Sequence, residues 1–191
     1  MRVLVVVEGK HESGGAASAL IQLVRPDLND LAFDRLANSK IHTHPGKGRA
    51  YFKKAVRWML EARKRGFDAI ILLVDRDGVQ TRCTEITDAQ EDHTICNIPR
   101  ALGVPVEAFD AWMLADELAI SKVVAVTVPP QPDPEQIAHP KEHMEKLLEG
   151  LGLQWGGAEM YARIAAELNL SHLRHRCPDG FATFADRVLM L

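Results

Sequence analysis

The chain has 191 residues, of which 47% are hydrophobic and 26% charged, and its formal net charge is −3. That composition belongs to a folded domain with a sizeable core and excludes a disordered polymer, and no apolar run approaches the length of a membrane span. The three cysteines, Cys83, Cys96 and Cys177, have no close pairing that would suggest a disulfide framework, so a reducing cytoplasm is the expected location.

Residues 1–7 predict a strand, because a continuous run of valine and leucine is the pattern of a strand buried on both faces, as in a parallel sheet. Its apolar part is too short for the apolar region of a signal peptide. A helix is expected over 13–24, closed by Pro26, and a strand over 31–41. Residues 48–65 predict a helix with Phe52, Ala55, Val56, Met59 and Leu60 on one side, stopping at Gly66. A second continuous apolar run, 69–74, predicts another buried strand. A polar helix is expected from Gly78 to about Cys96, then a strand over 102–109 and a helix over 110–122. Strands alternating with helices predict an α/β fold with an open, mostly parallel sheet flanked by helices. Five of the ten prolines fall between Pro129 and Pro140, which predicts a linker and divides the chain into an α/β domain, 1–125, and a helical C-terminal extension, 126–191.

Charge is unevenly spread. From Lys40 to Gly66 there are nine Lys or Arg and one acid, Glu61, a basic segment in a net-acidic chain. It suits an anionic polymer as partner.

Both buried-looking strands end in acid: VVVEGK at 5–10 stops on Glu8, and IILLVDRDG at 70–78 stops on Asp75 and Asp77. Ligands of open parallel sheets bind beyond the carboxyl ends of the strands. Residues two apart on a strand point the same way, so Asp75 and Asp77 are expected to project together if the extended form persists that far. Two such carboxylates repel unless a cation shares them, and Mg²⁺ takes one or two carboxylates with water and phosphate oxygens in its remaining positions. The bland alternatives are that Asp-Arg-Asp-Gly is a good turn and that Glu8 only favours the start of the next helix.

VVVEGKHE at 5–12 and LLVDRDG at 72–78 together resemble the two signature elements of the TOPRIM fold, shared by topoisomerases, bacterial primases, small ribonucleases and the nuclease half of OLD-type defence proteins. The resemblance implies a Rossmann-like sheet, with Glu8 in acid/base chemistry or metal binding and Asp75 and Asp77 as ligands of Mg²⁺, or of Mn²⁺ in its place. The chain is also similar to a group of small prokaryotic TOPRIM-like proteins of unassigned function, at VEGKHE, DRDG, AWMLAD (111–116), HPKE (139–142) and RCPDGFATF (176–184). That pattern has Glu before the Ala-Trp pair, where this chain has Asp110.

Asp110 is therefore a candidate metal ligand and equally a candidate helix N-cap, with Glu107 competing for the metal role. Gly9 and Lys10 are candidate phosphate contacts at the start of the first helix. The loop HTHPGKGR, 42–49, adds Lys47 and Arg49 but lacks the Walker spacing, so ATP hydrolysis is not expected. Arg49, Lys53 and Arg57, four apart, form a row suited to a phosphate backbone, or a merely solvated face. Lys141 enters as a catalytic candidate through the resemblance alone. The histidines and cysteines have no CxxC pair, and zinc is not expected. The expected function is a Mg²⁺-dependent phosphodiesterase acting on nucleic acid, in a defence or repair system with a separate ATPase partner and a possible homo-oligomer. The rival reading is a non-catalytic TOPRIM-like module that binds a nucleotide or docks on such an ATPase.

Overall fold

The computed structural model describes residues 1–9, 12–38 and 48–191. Among the described residues four parallel strands form one sheet: β1 (Arg2–Val7), β2 (Asp30–Arg35), β3 (Ala69–Leu73) and β4 (Arg100–Gly103), in the order β2-β1-β3-β4. The α/β, Rossmann-like architecture expected from the alternating pattern is the one observed. β1 and β3 lie in the middle, which is why their side chains are apolar on both faces.

Each face of the sheet has its own core. Leu4, Val6, Ile70, Leu72, Val74 and Leu102 pack on α2 (Ala50–Lys64) and α3 (Gln80–Glu91). Val3, Val5, Val7, Ile71 and Leu73 face the opposite way. There they meet α1 (Ala17–Val24), which follows a π-helical turn at Glu12–Ala16, and the helices of the chain's second half. Those are α4 (Asp110–Met113), α5 (Glu117–Val124), α6 (Pro140–Gly150), α7 (Gly157–Glu167), α8 (Leu170–Arg176) and α9 (Thr183–Leu189). No described helix is long and apolar enough to cross a membrane.

Several boundaries differ from expectation for identifiable reasons. The buried stripe of α2 is Ala55, Trp58, Met59 and Ala62, and Leu60 is exposed, because this i, i+3, i+4, i+7 row turns the large Trp58 inward. α3 stops at Glu91 rather than near Cys96. Asp92 there accepts hydrogen bonds from Thr94 N at 2.8 Å and Thr94 Oγ1 at 2.6 Å, and buried Arg100 collects the carbonyls of Ala89 and Asp92 at 3.1 and 2.6 Å. β4 begins and ends earlier than 102–109, and it stops before Pro105, which has no amide hydrogen for a ladder. The helix expected over 110–122 is two. Asp116 interrupts it as the N-cap of α5, accepting from Leu118 N and Ala119 N, both at 3.1 Å, and its other oxygen accepts from Asn169 N at 2.9 Å ahead of α8. β2 ends at Arg35, six residues short of the expected end, and positions 39–47 lie outside the described residues.

The proline-rich stretch expected as a linker is packed. Gln131, Pro134 and Glu135 are buried, and Glu135 accepts from Asp179 N at 3.0 Å and Gly180 N at 2.7 Å, holding the turn that leads into α9. Residues 126–191 contribute Met144, Tyr161, Leu173, Phe181 and Phe184 to the same core as β1 and α1. At Gly103 a Cβ would stand 2.7 Å from the Phe184 ring, so the absence of a side chain lets α9 lie directly on β4. Trp112 joins the two halves: it stacks on Phe184 at 5.6 Å and meets Phe181 edge-on at 5.3 Å.

Trp112→Ala is expected to destabilise the whole chain by about 3–5 kcal/mol, read as a lowered midpoint of a single urea transition. A loss below about 1 kcal/mol would mean that the aromatic cluster does not couple the C-terminal helices to the sheet.

Candidate functional site

β1 runs to β2 on one side, and the chain then returns to place β3 on its other side, so a topological switch point lies between β1 and β3. Val6 is in register with Leu72, and Glu8 and Asp75 therefore leave the sheet as near neighbours at its carboxyl edge. Asp75 N donates to Glu8 Oε2 at 2.9 Å, and Asp75 Oδ1 accepts from Phe109 N at 2.9 Å. Three segments distant in sequence are thus fastened through two carboxylates.

Glu12 joins them. Only 4% exposed, it projects from the π-helical turn, and a Cβ on Gly9 would come within 2.3 Å of its Oε2. Glycine at position 9 is what leaves room for this carboxyl. Asp110, 9% exposed on α4, completes the inner group. Among the described residues neither Glu12 Oε2 nor Asp110 Oδ1 has a hydrogen-bond partner. Burial, reinforced by the charges of Asp110 and Glu8, pushes Glu12 up to about 7. Asp75 lies well above the usual carboxylate range, mainly through burial and then through Glu12, Glu8 and Asp110. Burial raises Glu8 as well, against the opposing pull of the Asp75 amide and Arg82. Burial likewise raises the Tyr161 phenol, which lies beside Asp110.

An outer ring is paired with arginine. Arg82, in the first turn of α3, donates from one Nη1 atom to Asp77 Oδ2 and to the Asp75 carbonyl, both at 2.6 Å, and that atom stands 3.9 Å from Glu8 Oε2. Arg76 pairs with Glu107. The expectation that Asp75 and Asp77 project together does not hold, because the strand has ended and Asp77 takes a left-handed conformation, φ 46°. Asp75 turns to a buried amide, whereas the Asp77 side chain is 55% exposed. Glu107 is also left-handed, φ 62°, in a loop and not at a strand end.

Beside this edge lies a cleft of about 490 Å³ lined by Asp77, Glu107, Asp110, His139, Lys141 and Glu142. Lys141 is exposed in the first turn of α6, and its presence here brings HPKE to DRDG. A larger depression of about 600 Å³ beside α5 and α8, lined by Lys122, His172 and His175 among others, contains none of these carboxylates. Arg49, expected as a phosphate contact, pairs with Asp88 at 2.6 Å and lies over the Phe52 ring, fastening α2 to α3. Lys53 is half-buried on α2, and neither residue lines the cleft. Lys10 and Lys47 lie outside the described residues.

The structure therefore gathers Glu8, Gly9, Asp75, Asp77, Glu107, Asp110 and Lys141, and adds Glu12 and Arg82, which sequence reasoning left without a role. Glu12 had a signal, the second acid of EGKHE one helical turn beyond Glu8. Arg82 had none. The donor set is all oxygen and carries two unpartnered buried atoms, which suits a hard divalent cation. As they stand, however, no three described His, Cys, Asp or Glu side chains are arranged to hold a metal ion. Each of the outer carboxylates is paired with its own arginine, Asp77 with Arg82 and Glu107 with Arg76.

Fold and site together define a Rossmann-like α/β protein with an acidic centre at its switch point. The chain belongs to the family described as a domain of unknown function, DUF4276, whose profile matches residues 8–189. No curated protein and no solved structure matches it.

The raised Glu12 carboxyl makes stability depend on pH. Between its ordinary value of 4.5 and about 7 the folded protein holds a proton that the unfolded chain has released, so this contribution is complete below 4.5 and lost as pH rises through 7. Asp75 acts in the same direction. Glu12→Gln is expected to gain on the wild type by on the order of 3 kcal/mol between pH 4 and pH 8 in urea denaturation. Parallel curves for the two proteins would show that Glu12 titrates normally.

Proposed function

We propose that the chain is a Mg²⁺-dependent phosphodiesterase acting on nucleic acid. The observation that carries this reading is the convergence of Glu8, Glu12, Asp75 and Asp110 at the switch point, where burial and neighbouring charge hold the Glu8, Glu12 and Asp75 carboxyls above the ordinary carboxylate range in the absence of a cation. Glu8 and Asp75 would hold the metal with Asp77, and Asp110 is the candidate for a second ion. A bound Mg²⁺ supplies the positive charge that polarises a phosphodiester and stabilises its leaving oxygen. Glu12, near its midpoint at neutral pH, is able to take or give a proton at Oε2. Lys141 and His139 line the same cleft as Asp77 and Asp110, where the Lys141 ammonium meets the charge of an incoming phosphate and the His139 ring can hydrogen-bond to it. The basic helix α2, with Lys53, Lys54 and Arg57, gives a polyanion a further surface, and the resemblance to OLD-type proteins makes a separate ATPase the partner to look for.

One observation favours the non-catalytic alternative: Asp77 and Glu107 are already neutralised by Arg82 and Arg76, as in a module that only docks. The two readings part on metal-dependent turnover.

The test is cleavage of labelled single-stranded and double-stranded DNA and RNA with Mg²⁺ or Mn²⁺, with chelator as control, comparing wild type with Asp75→Asn. Asparagine keeps an oxygen for Phe109 N while removing the charge. Cleavage reduced by about 10²-fold or more in the variant is expected. Undiminished cleavage by the variant would remove Asp75 from the mechanism, and no cleavage of any substrate by the wild type would favour the docking module.

A further inference from the structure

We propose that the Arg82 guanidinium is a built-in occupant of a cation site made of the Glu8 and Asp77 carboxylates and the Asp75 carbonyl oxygen, so that a divalent cation binds these oxygens only by displacing it. This inference rests on the metal-dependent reading above and adds to it a competitor within the chain. Arg82 Nη1 is 2.6 Å from Asp77 Oδ2, 2.6 Å from the Asp75 carbonyl oxygen and 3.9 Å from Glu8 Oε2. One positively charged nitrogen thus meets oxygens of all three residues that the strand ends present. These are oxygen donors of the kind a hard cation seeks, and a guanidinium and a metal ion cannot share the same space.

The arginine is held in place. Its side chain is only 14% exposed, its guanidinium lies 4.5 Å from the centre of the Tyr51 ring, and the backbone of α2 is tied to α3 by Glu85, which accepts from Tyr51 N at 2.7 Å. Yet its Nε has no hydrogen-bond partner among the described residues, so the side chain is fastened at one end of its fork. It is attached to the first turn of a surface helix, from which a long side chain swings without moving the backbone. A charge-assisted bond to Asp77, which is half exposed, is also the kind that a stronger cation replaces.

Competition predicts that removing the guanidinium strengthens metal binding, the reverse of what loss of a merely structural ion pair would do. Mn²⁺ binding is measured by electron paramagnetic resonance on wild type, Arg82→Gln, Arg82→Lys and the double variant Arg82→Gln with Asp77→Asn, which removes the charge of the side chain that Arg82 meets. Arg82→Gln is expected to bind Mn²⁺ about tenfold tighter than wild type or more, a factor set by the charged hydrogen bonds it no longer has to break. Arg82→Lys is expected to stay near wild type and the double variant to lose the site. Equal or weaker binding by Arg82→Gln, with Mn²⁺ still bound by wild type, would overturn the role of Arg82 and leave the metal reading standing. Absence of Mn²⁺ binding in both would overturn both. Should Arg82→Gln fail to fold, the side-chain ¹⁵N resonances of arginine in the wild type decide: one Nε and its Nη signals shift on Mg²⁺ saturation if Arg82 is displaced, and remain unchanged if it is not.

Discussion

The hydrogen bond from Asp75 N to Glu8 Oε2 ties the ends of the two central strands together, and the remainder of the acidic edge is arranged around it. Parallel pairing of β1 with β3 sets the two chains at one level, and the switch of direction between them opens the space that the loops occupy. Glu8 is committed to one amide and Asp75 to another, and the neighbouring acids are met in other ways. Glu12 and Asp110 retain unpartnered oxygens and Asp77 and Glu107 recruit arginine. Charge in this region is managed by geometry that the sheet imposes.

Stability and chemistry pull in opposite directions here. Burying several carboxylates costs free energy unless they are protonated, paired or bound to a cation, and this protein uses the first two devices side by side. The expense is carried by the extensive apolar core beneath, where Trp112 sits among Phe109, Phe181 and Phe184. That cluster also explains why stretches far apart in sequence, AWMLAD and RCPDGFATF, are needed together: one supplies the ring and the other its neighbours.

Much of this was legible in the sequence. Continuous apolar runs announced β1 and β3, and the acids that ended them announced the edge where polar groups collect, because both signals depend only on local pattern and on the rule for parallel sheets. What could not be read was anything set by contacts across the chain. The left-handed turn at Asp77 separates it from Asp75, and strand alternation gave no warning. Asp116 breaks a helix because it also serves Asn169, fifty-three residues later. The prolines after Val128 have the composition of a linker, but Glu135 anchors them to the turn before α9. Arg82 stands among the acids only because α3 begins where it does.

The two faces of the sheet also differ in when they become complete. Every buried residue of the core beneath α2 and α3 lies at or before Leu102, whereas the opposite core still lacks Phe184, Ala185 and Val188 until the last helix has been made. During synthesis one side of the sheet is therefore ready to close long before the other, and three of the four valines of β1, Val3, Val5 and Val7, face the side that is completed last. The contacts that α9 makes with α1 span most of the chain, those with β4 nearly half of it, and such distant contacts are the slowest kind to form. An acidic edge built early on one flank thus acquires the cleft wall that α6 provides, and Lys141 with it, only in the closing stages of assembly.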